Sequence, residues 1–187
     1  MGNNNEGVWR ERTLHSEQIF TGKVISLQLE TVELRDGKQA TREIIRHPGA
    51  AAVIAIIDNK LLLVEQYRKP MDKIQLEIPA GKLDPNESPE TAAIRELEEE
   101  TGYKARSIEL LEKFYTSPGF ADELLYVYFT NDVEQGSMNL DEDEEIIVKL
   151  VTLEEAEAYM AEGLISDVKT IFAVYAWKLL LKTGSIK

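Results

Sequence analysis

Two patterns of apolar and polar residues along the chain predict β-strands, and the first lies near the N-terminus. Within residues 17–46, the stretch VISLQLETVEL alternates apolar and polar side chains, as a strand with one buried face does. Asp36-Gly37 follows as a strong hairpin turn, and ATREIIR returns as the partner strand. We therefore expect an antiparallel β extension over residues 1–46.

The second pattern consists of continuous apolar runs, which predict buried strands. AAVIAIID at 51–58 and LLLVEQY at 61–67 are separated only by Asn59-Lys60 and should form a hairpin in the core. Other stretches predict strands near residues 74–78, 107–116, 124–130 and 146–151.

Three segments carry helix signals. Ser88 is a good N-cap, Pro89 suits the first helical position, and Gly102 can end a helix. The predicted helices cover about residues 88–101, 153–162 and 167–182. This order of elements predicts an α/β fold, a mixed sheet with helices packed against it, in one main domain over 47–187.

The composition narrows the chemistry. The 187 residues include 34 acidic and 21 basic side chains, and the net charge of −13 disfavours binding to nucleic acid or an anionic membrane. There are no cysteines and two histidines, so a metal ion would be held by oxygen, which favours Mg²⁺ or Mn²⁺. The longest apolar run, at 50–57, is too short to span a bilayer, and there is no signal-peptide pattern, so we expect a cytoplasmic protein.

The second half of the first predicted helix is the candidate site for such an ion. Glu96 and Glu100 lie one turn apart on one face, with Glu99 beside them, while Ala93 and Leu97 can face the core. These carboxylates repel one another on a bare helix, and a divalent cation would reverse the sign of that interaction. The alternative is a solvated acidic surface, which is the usual meaning of a run of like charges.

The sequence around this helix, GKLDPNESPETAAIRELEEETGY at 81–103, has the spacing G-x5-E-x7-R-E-U-x-E-E-x-G-U, where U is a bulky apolar residue. The fixed positions are Gly81, Glu87, Arg95, Glu96, Glu99, Glu100 and Gly102. This signature resembles the box of the Nudix hydrolase superfamily, although Tyr103 is aromatic where that box usually has an aliphatic residue. The resemblance extends over residues 17–182 and implies an α/β/α sandwich and metal-dependent hydrolysis of a diphosphate.

A second motif follows the box. In Ser117 to Glu123, SPGFADE, the proline lies 16 residues beyond Gly102. The offset and the sequence resemble the bacterial ADP-ribose pyrophosphatases, which implies hydrolysis of ADP-ribose to AMP and ribose 5-phosphate. The N-terminal extension is similar to the segment that those enzymes exchange between subunits, which implies a homodimer.

The resemblance also implies roles for single residues. Two or three Mg²⁺ ions, with Mn²⁺ as the other candidate, would be bound by the backbone carbonyl of Ala80 and by Glu96, Glu100 and Glu144. Glu142 would be the base that deprotonates water, and Glu99 would be a further ligand or a group that supports the ligands. Substrate contacts would come from Arg42, Arg68, Gly119 and Glu123. Structural roles within the box would fall to Gly81, Glu87, Arg95 and Gly102, with Arg95 holding Glu87 or Glu99 in position.

Several assignments stay open. Five acids in a row at 141–145 allow any register for the base, or a loop that is simply solvated. Ordinary surface charge is the alternative for each arginine and for Glu123. An aromatic side chain should cover the adenine, and the candidates are Phe20, Tyr115 and Phe120.

Two other functions compete with ADP-ribose hydrolysis. One is a Nudix pyrophosphatase for another nucleotide sugar or nucleoside diphosphate derivative, against which the SPGFADE motif argues. The other is a non-catalytic ADP-ribose sensor, which we would expect to have lost a box carboxylate. None of the box carboxylates is missing from this chain.

Overall fold

A computed structural model describes residues 10–140 and 144–186. These residues form two compact units. The first unit contains the described residues up to Pro48 together with Tyr115–Leu124, and the second contains residues 49–114 and 125–186 with the exception of 141–143.

The described residues contain twelve strands and three α-helices. In chain order the strands are β1 Arg12–Thr21, β2 Ser26–Glu33, β3 Gln39–Arg46, β4 Ala50–Ile57, β5 Lys60–Arg68, β6 Lys73–Glu77, β7 Ala80–Lys82, β8 Tyr103–Ala105, β9 Glu109–Tyr115, β10 Leu124–Thr130, β11 Val133–Gln135 and β12 Ile147–Val151. The helices are α1 Pro89–Thr101, α2 Leu153–Ala161 and α3 Val168–Thr183, and a 3₁₀ turn covers Lys69–Met71.

In the first unit, β1, β2 and β3 form an antiparallel sheet in that order. The predicted hairpin is confirmed, because Glu33 pairs with Gln39 and the turn between them has Gly37 at a φ of 80°. The first strand begins at Arg12, five residues before the predicted extended region. Its side chains are all exposed, so the sequence carries no buried alternation that would mark the start of the strand.

The SPGFADE motif lies in the same unit and is attached to β3. The Ile45 amide donates to the Phe120 carbonyl at 2.8 Å, and the Asp122 amide donates to the Ile45 carbonyl at 3.1 Å. Asp122 Oδ1 also accepts from the His47 amide at 2.8 Å, while Oδ2 lies 3.0 Å from Arg46 Nη1. Backbone and side-chain bonds together therefore fix the loop against the end of this strand.

In the second unit, a seven-stranded mixed sheet has the order β12-β5-β4-β10-β9, with β6 paired to β5 and β7 paired to β4. The predicted core hairpin is confirmed, since β4 and β5 pair antiparallel at Ile56 and Leu61, whereas β10 runs parallel to β4. A separate two-stranded sheet joins β8 and β11.

The central strand β4 is buried on both faces, which explains its continuous apolar sequence. One face, with Val53, packs into a cluster that includes Leu97 of α1, and the other, with Ile54, packs into a cluster that includes Trp177 of α3. Helices therefore cover both sides of the sheet, which confirms the predicted α/β/α arrangement of this unit.

The helix predictions hold to within one residue at each end. The Ser88 hydroxyl accepts from the Thr91 amide at 3.1 Å at the start of α1, and Gly102 ends that helix with a φ of 71°. In contrast, β7, β8 and β11 have three residues each and were not predicted, because so short a segment shows no periodicity. No helix among the described residues is long and apolar enough to cross a membrane.

Candidate metal centre

The acidic face of α1 lies against β7. Glu96 and Glu100 are four residues apart and so lie on the same face of the helix. Only 4% of the Glu100 surface is exposed, and its Oε2 accepts from the Ala80 amide at 3.0 Å. The structure thus brings Ala80, Glu96 and Glu100 together, three of the four predicted metal-binding residues.

Gly81 is required by the close approach of Glu96 to β7. A Cβ atom at this position would lie 2.0 Å from Cδ and from Oε1 of Glu96, a distance at which the carboxylate has to move. The absence of a side chain at Gly81 is therefore what allows this carboxylate to rest on the strand.

Arg95 connects the loop before α1 to the acidic face. Its Nε and Nη2 each lie 2.9 Å from an oxygen of Glu87, and its Nη1 lies 2.8 Å from Glu96 Oε1 and 2.9 Å from Glu99 Oε2. Nη2 also donates to the Lys82 carbonyl at 3.2 Å. One guanidinium group thus fixes three carboxylates and one strand, so that Arg95 contacts both of the carboxylates named as its partners in the sequence analysis.

Ionisation of the two carboxylates that face β7, Glu96 and Glu100, is unfavourable. Burial, joined by the negative charges of Glu96 and Glu144, raises the pKa of Glu100 to about 8. Burial also raises the pKa of Glu96, and the neighbouring Arg95 opposes that rise without cancelling it. A divalent cation would relieve this repulsion, so the donor set suits a hard metal ion bound by oxygen.

Glu144 is the residue of the acidic loop whose charge acts on Glu96 and Glu100. Its side chain is exposed, and its charge is one cause of the raised pKa values of Glu96 and Glu100. The predicted base, Glu142, lies outside the described residues. Within residues 10–140 and 144–186, no group of three or more acidic or histidine side chains is arranged to hold an ion. A bound metal would therefore need ligands besides Glu96 and Glu100, such as the Ala80 carbonyl and the substrate.

Arg68 is held by an acid that the sequence analysis missed. Its Nε and Nη2 lie 2.7 and 2.8 Å from the two oxygens of Glu77, and Lys169 contacts the same carboxylate. The sequence could have indicated Glu77 as a buried acid, because it is an ionisable residue between the apolar residues Leu76 and Ile78. Nothing in the sequence marked Lys169.

The other predicted substrate contacts lie in the first unit. Arg42 is paired with Glu11, and Glu123 Oε2 accepts from the Thr116 hydroxyl at 2.5 Å. An added Cβ at Gly119 would meet nothing within 4 Å, so this glycine faces open space. The three aromatic candidates, Phe20, Tyr115 and Phe120, are each more than half exposed.

Comparison with known proteins places the chain in a family. The NUDIX domain matches residues 46–171, which is more than half of the chain, and the chain therefore belongs to the Nudix family of hydrolases. Enzymes of this family generally use divalent metal ions. A solved structure described as an ADP compounds hydrolase has the same fold, with a TM-score of 0.83 over 95% of this chain and 97% of that one at 21% identity.

Two bacterial relatives are similar over nearly their whole length. The chain is 50% identical over 170 residues to a methanol dehydrogenase activator from Bacillus methanolicus, covering 89% of this chain and 92% of that protein. It is 48% identical over 167 residues to an ADP-ribose pyrophosphatase from Bacillus subtilis, covering 88% and 90%.

Proposed function

We propose that this protein hydrolyses the pyrophosphate bond of ADP-ribose, giving AMP and ribose 5-phosphate, with Mg²⁺ as the metal ion. The observation that carries the proposal is the pair of carboxylates on α1, the buried Glu100 and the partly buried Glu96, held against the Ala80-Gly81 strand. The similarity to the Bacillus subtilis ADP-ribose pyrophosphatase supports the choice of substrate.

The mechanism assigns the box residues to metal binding. Glu96, Glu100, Glu144 and the carbonyl of Ala80 would hold two or three Mg²⁺ ions. When bound, the ions neutralise charge on the diphosphate and make a water molecule more acidic. Arg95 keeps the glutamates of the helix oriented, with Glu99 as a further ligand or as support for the ligands.

The remaining residues act on water and substrate. Glu142 accepts the proton of the attacking water, whose oxygen forms a bond to one phosphorus while the bridging P–O bond breaks. The bridging oxygen leaves with the other phosphate, so the products are AMP and ribose 5-phosphate. Arg42, Arg68, Gly119 and Glu123 contact the substrate, and the two arginines supply positive charge in a protein of net charge −13.

We also propose a homodimer formed through residues 1–46, with residues 47–187 as the hydrolase domain. The support is the exposure of apolar side chains in and beside β1, including Leu14, Ile19 and Phe20. An edge strand of this kind can be covered by a second copy of the chain. A cytoplasmic location stays a prediction.

A substrate panel tests the specificity. We expect kcat/KM to be highest for ADP-ribose among ADP-sugars, GDP-mannose, dinucleoside polyphosphates and nucleoside triphosphates, and activity to disappear in EDTA. A much higher kcat/KM for GDP-mannose or a triphosphate would mean that this compound, and not ADP-ribose, is the substrate. Binding of ADP-ribose without hydrolysis of any diphosphate would support a sensor instead.

A further inference from the structure

Glu77 is a buried acid to which the proposed reaction gives no role. It ends β6, three residues before Ala80, and only 2% of its surface is exposed. Both of its oxygens are engaged by the fork of Arg68, at 2.7 and 2.8 Å, and Lys169 contacts one of them as well. A buried carboxylate is costly to desolvate, and the two cations that hold it offset this cost.

The pair fixes the direction of the Arg68 side chain. Arg68 pairs with Lys73 across the β5–β6 ladder, and Glu77 lies four residues further along β6, so both side chains lie on the same face of the sheet. The arginine must extend along the strand to reach this acid. The fork uses Nε and Nη2, so the Nη1 edge remains outside the pair, and 38% of the side chain is exposed.

The acid that holds Arg68 is directly linked along the chain to the metal-binding face. Glu77, which holds Arg68, lies three residues before Ala80, and the Ala80 amide donates to Glu100 Oε2 at 3.0 Å. The uncommitted edge of Arg68 is therefore available to an anion beside the predicted metal ligands.

Lys169 and α3 complete the support for this pair. Lys169 lies two residues after Asp167, the N-cap residue of α3. Its Nζ lies 3.1 Å from Asp167 Oδ1, so that Lys169 contacts both Asp167 and Glu77. Thr170 binds the start of the helix to the end of β6, because its hydroxyl accepts from the Ile78 amide at 3.0 Å. Burial alone would raise the pKa of Glu77, but Arg68 and Lys169 lower it to about 2, so the carboxylate stays ionised.

We propose that Glu77 and Lys169 are positioning residues that fix the guanidinium group of Arg68 to bind a phosphate of the substrate. This inference rests on the proposed hydrolysis of ADP-ribose and on substrate contact by Arg68. An arginine that is free to rotate loses side-chain entropy when it binds an anion, whereas one already held by a carboxylate loses less. The two residues should therefore act on substrate affinity and not on the chemical step.

Steady-state kinetics with ADP-ribose and saturating Mg²⁺ tests the proposal. We expect Glu77→Gln and Lys169→Met each to raise KM about tenfold, the effect of losing one charge-assisted hydrogen bond, with kcat within about threefold of wild type. Lys178→Met is the matched control, because it removes another lysine–glutamate pair of α3, with Glu157, and should leave KM unchanged.

A double-mutant cycle tests whether the effect passes through Arg68. Arg68→Ala should raise KM by itself, and adding Glu77→Gln in that background should raise it no further. If Glu77→Gln alone does not fold, the combined Glu77→Gln and Lys169→Met variant removes one charge of each sign and is measured instead. Circular dichroism and thermal unfolding confirm that each variant is folded.

Three outcomes overturn the proposal while the proposed function stands. These are an unchanged KM in folded variants, an equal rise in KM when Arg68 is already alanine, or a loss confined to kcat or to Mg²⁺ dependence. The last would mean that the network supports the Ala80 strand and not Arg68. A wild-type protein that fails to hydrolyse ADP-ribose would overturn the proposed function and this inference with it.

Discussion

Glu100 is the residue at which burial and charge conflict most directly. Burial raises its pKa to about 8 from an ordinary value of 4.5. In metal-free protein its contribution to stability is therefore fully present below about pH 4.5 and is lost as the pH rises through about 8. We expect thermal unfolding in EDTA to show this fall, and Glu100→Gln to reduce it because glutamine does not ionise. An identical pH profile for the two proteins would contradict the assignment.

A prediction at Gly81 concerns the Cβ atom that glycine lacks. Gly81→Ala places a Cβ 2.0 Å from the Glu96 carboxylate, so we expect at least about a tenfold loss of Mg²⁺-dependent activity as this ligand is displaced. Gly136→Ala is the control, since its Cβ would instead meet Glu98, a residue without a predicted role in metal binding. Equal effects of the two substitutions on activity would show that displacement of Glu96 is not the cause.

At the scale of the element, α1 is the platform that carries the acidic face, and its N-cap can be tested separately from its chemistry. Ser88→Ala removes the acceptor of the Thr91 amide and should lower the free energy of unfolding by about 1 kcal/mol. Because this cap lies two turns from Glu96, kcat/KM should stay within about twofold of wild type. Chemical denaturation and steady-state kinetics on the same preparation measure both, and an unchanged denaturation midpoint would contradict the capping role.

The elements also show how far sequence reasoning reaches. The long strands β4 and β5 and the helix α1 were predictable because the continuous apolar runs of the strands and the caps of the helix are local signals. The contact between Glu77 and Lys169 was not predictable, since it joins residues 92 positions apart whose partners depend on how α3 docks. The spacing of the box predicted the face with Glu96 and Glu100, but not that burial would raise the pKa of both acids.

At the scale of the whole molecule, the proposed dimer depends on the exposed apolar side chains of the extension. Ile19 is half exposed on β1, and a charge at this position would be buried without a partner in a dimer formed through that strand. We expect wild-type protein to sediment at twice the mass of the chain and Ile19→Asp to shift it toward the monomer. A monomeric wild-type protein at all concentrations would contradict the proposed assembly.

The central claim is that the glutamates of α1 hold metal ions that act on the pyrophosphate bond of ADP-ribose. The most direct test is chromatographic identification of the products formed with Mg²⁺ by the wild-type protein and by Glu100→Gln. We predict AMP and ribose 5-phosphate in equal amounts from wild type, and a rate lower by at least about 10² from a Glu100→Gln variant that remains folded. Other products, or wild-type turnover in that variant, would contradict the account.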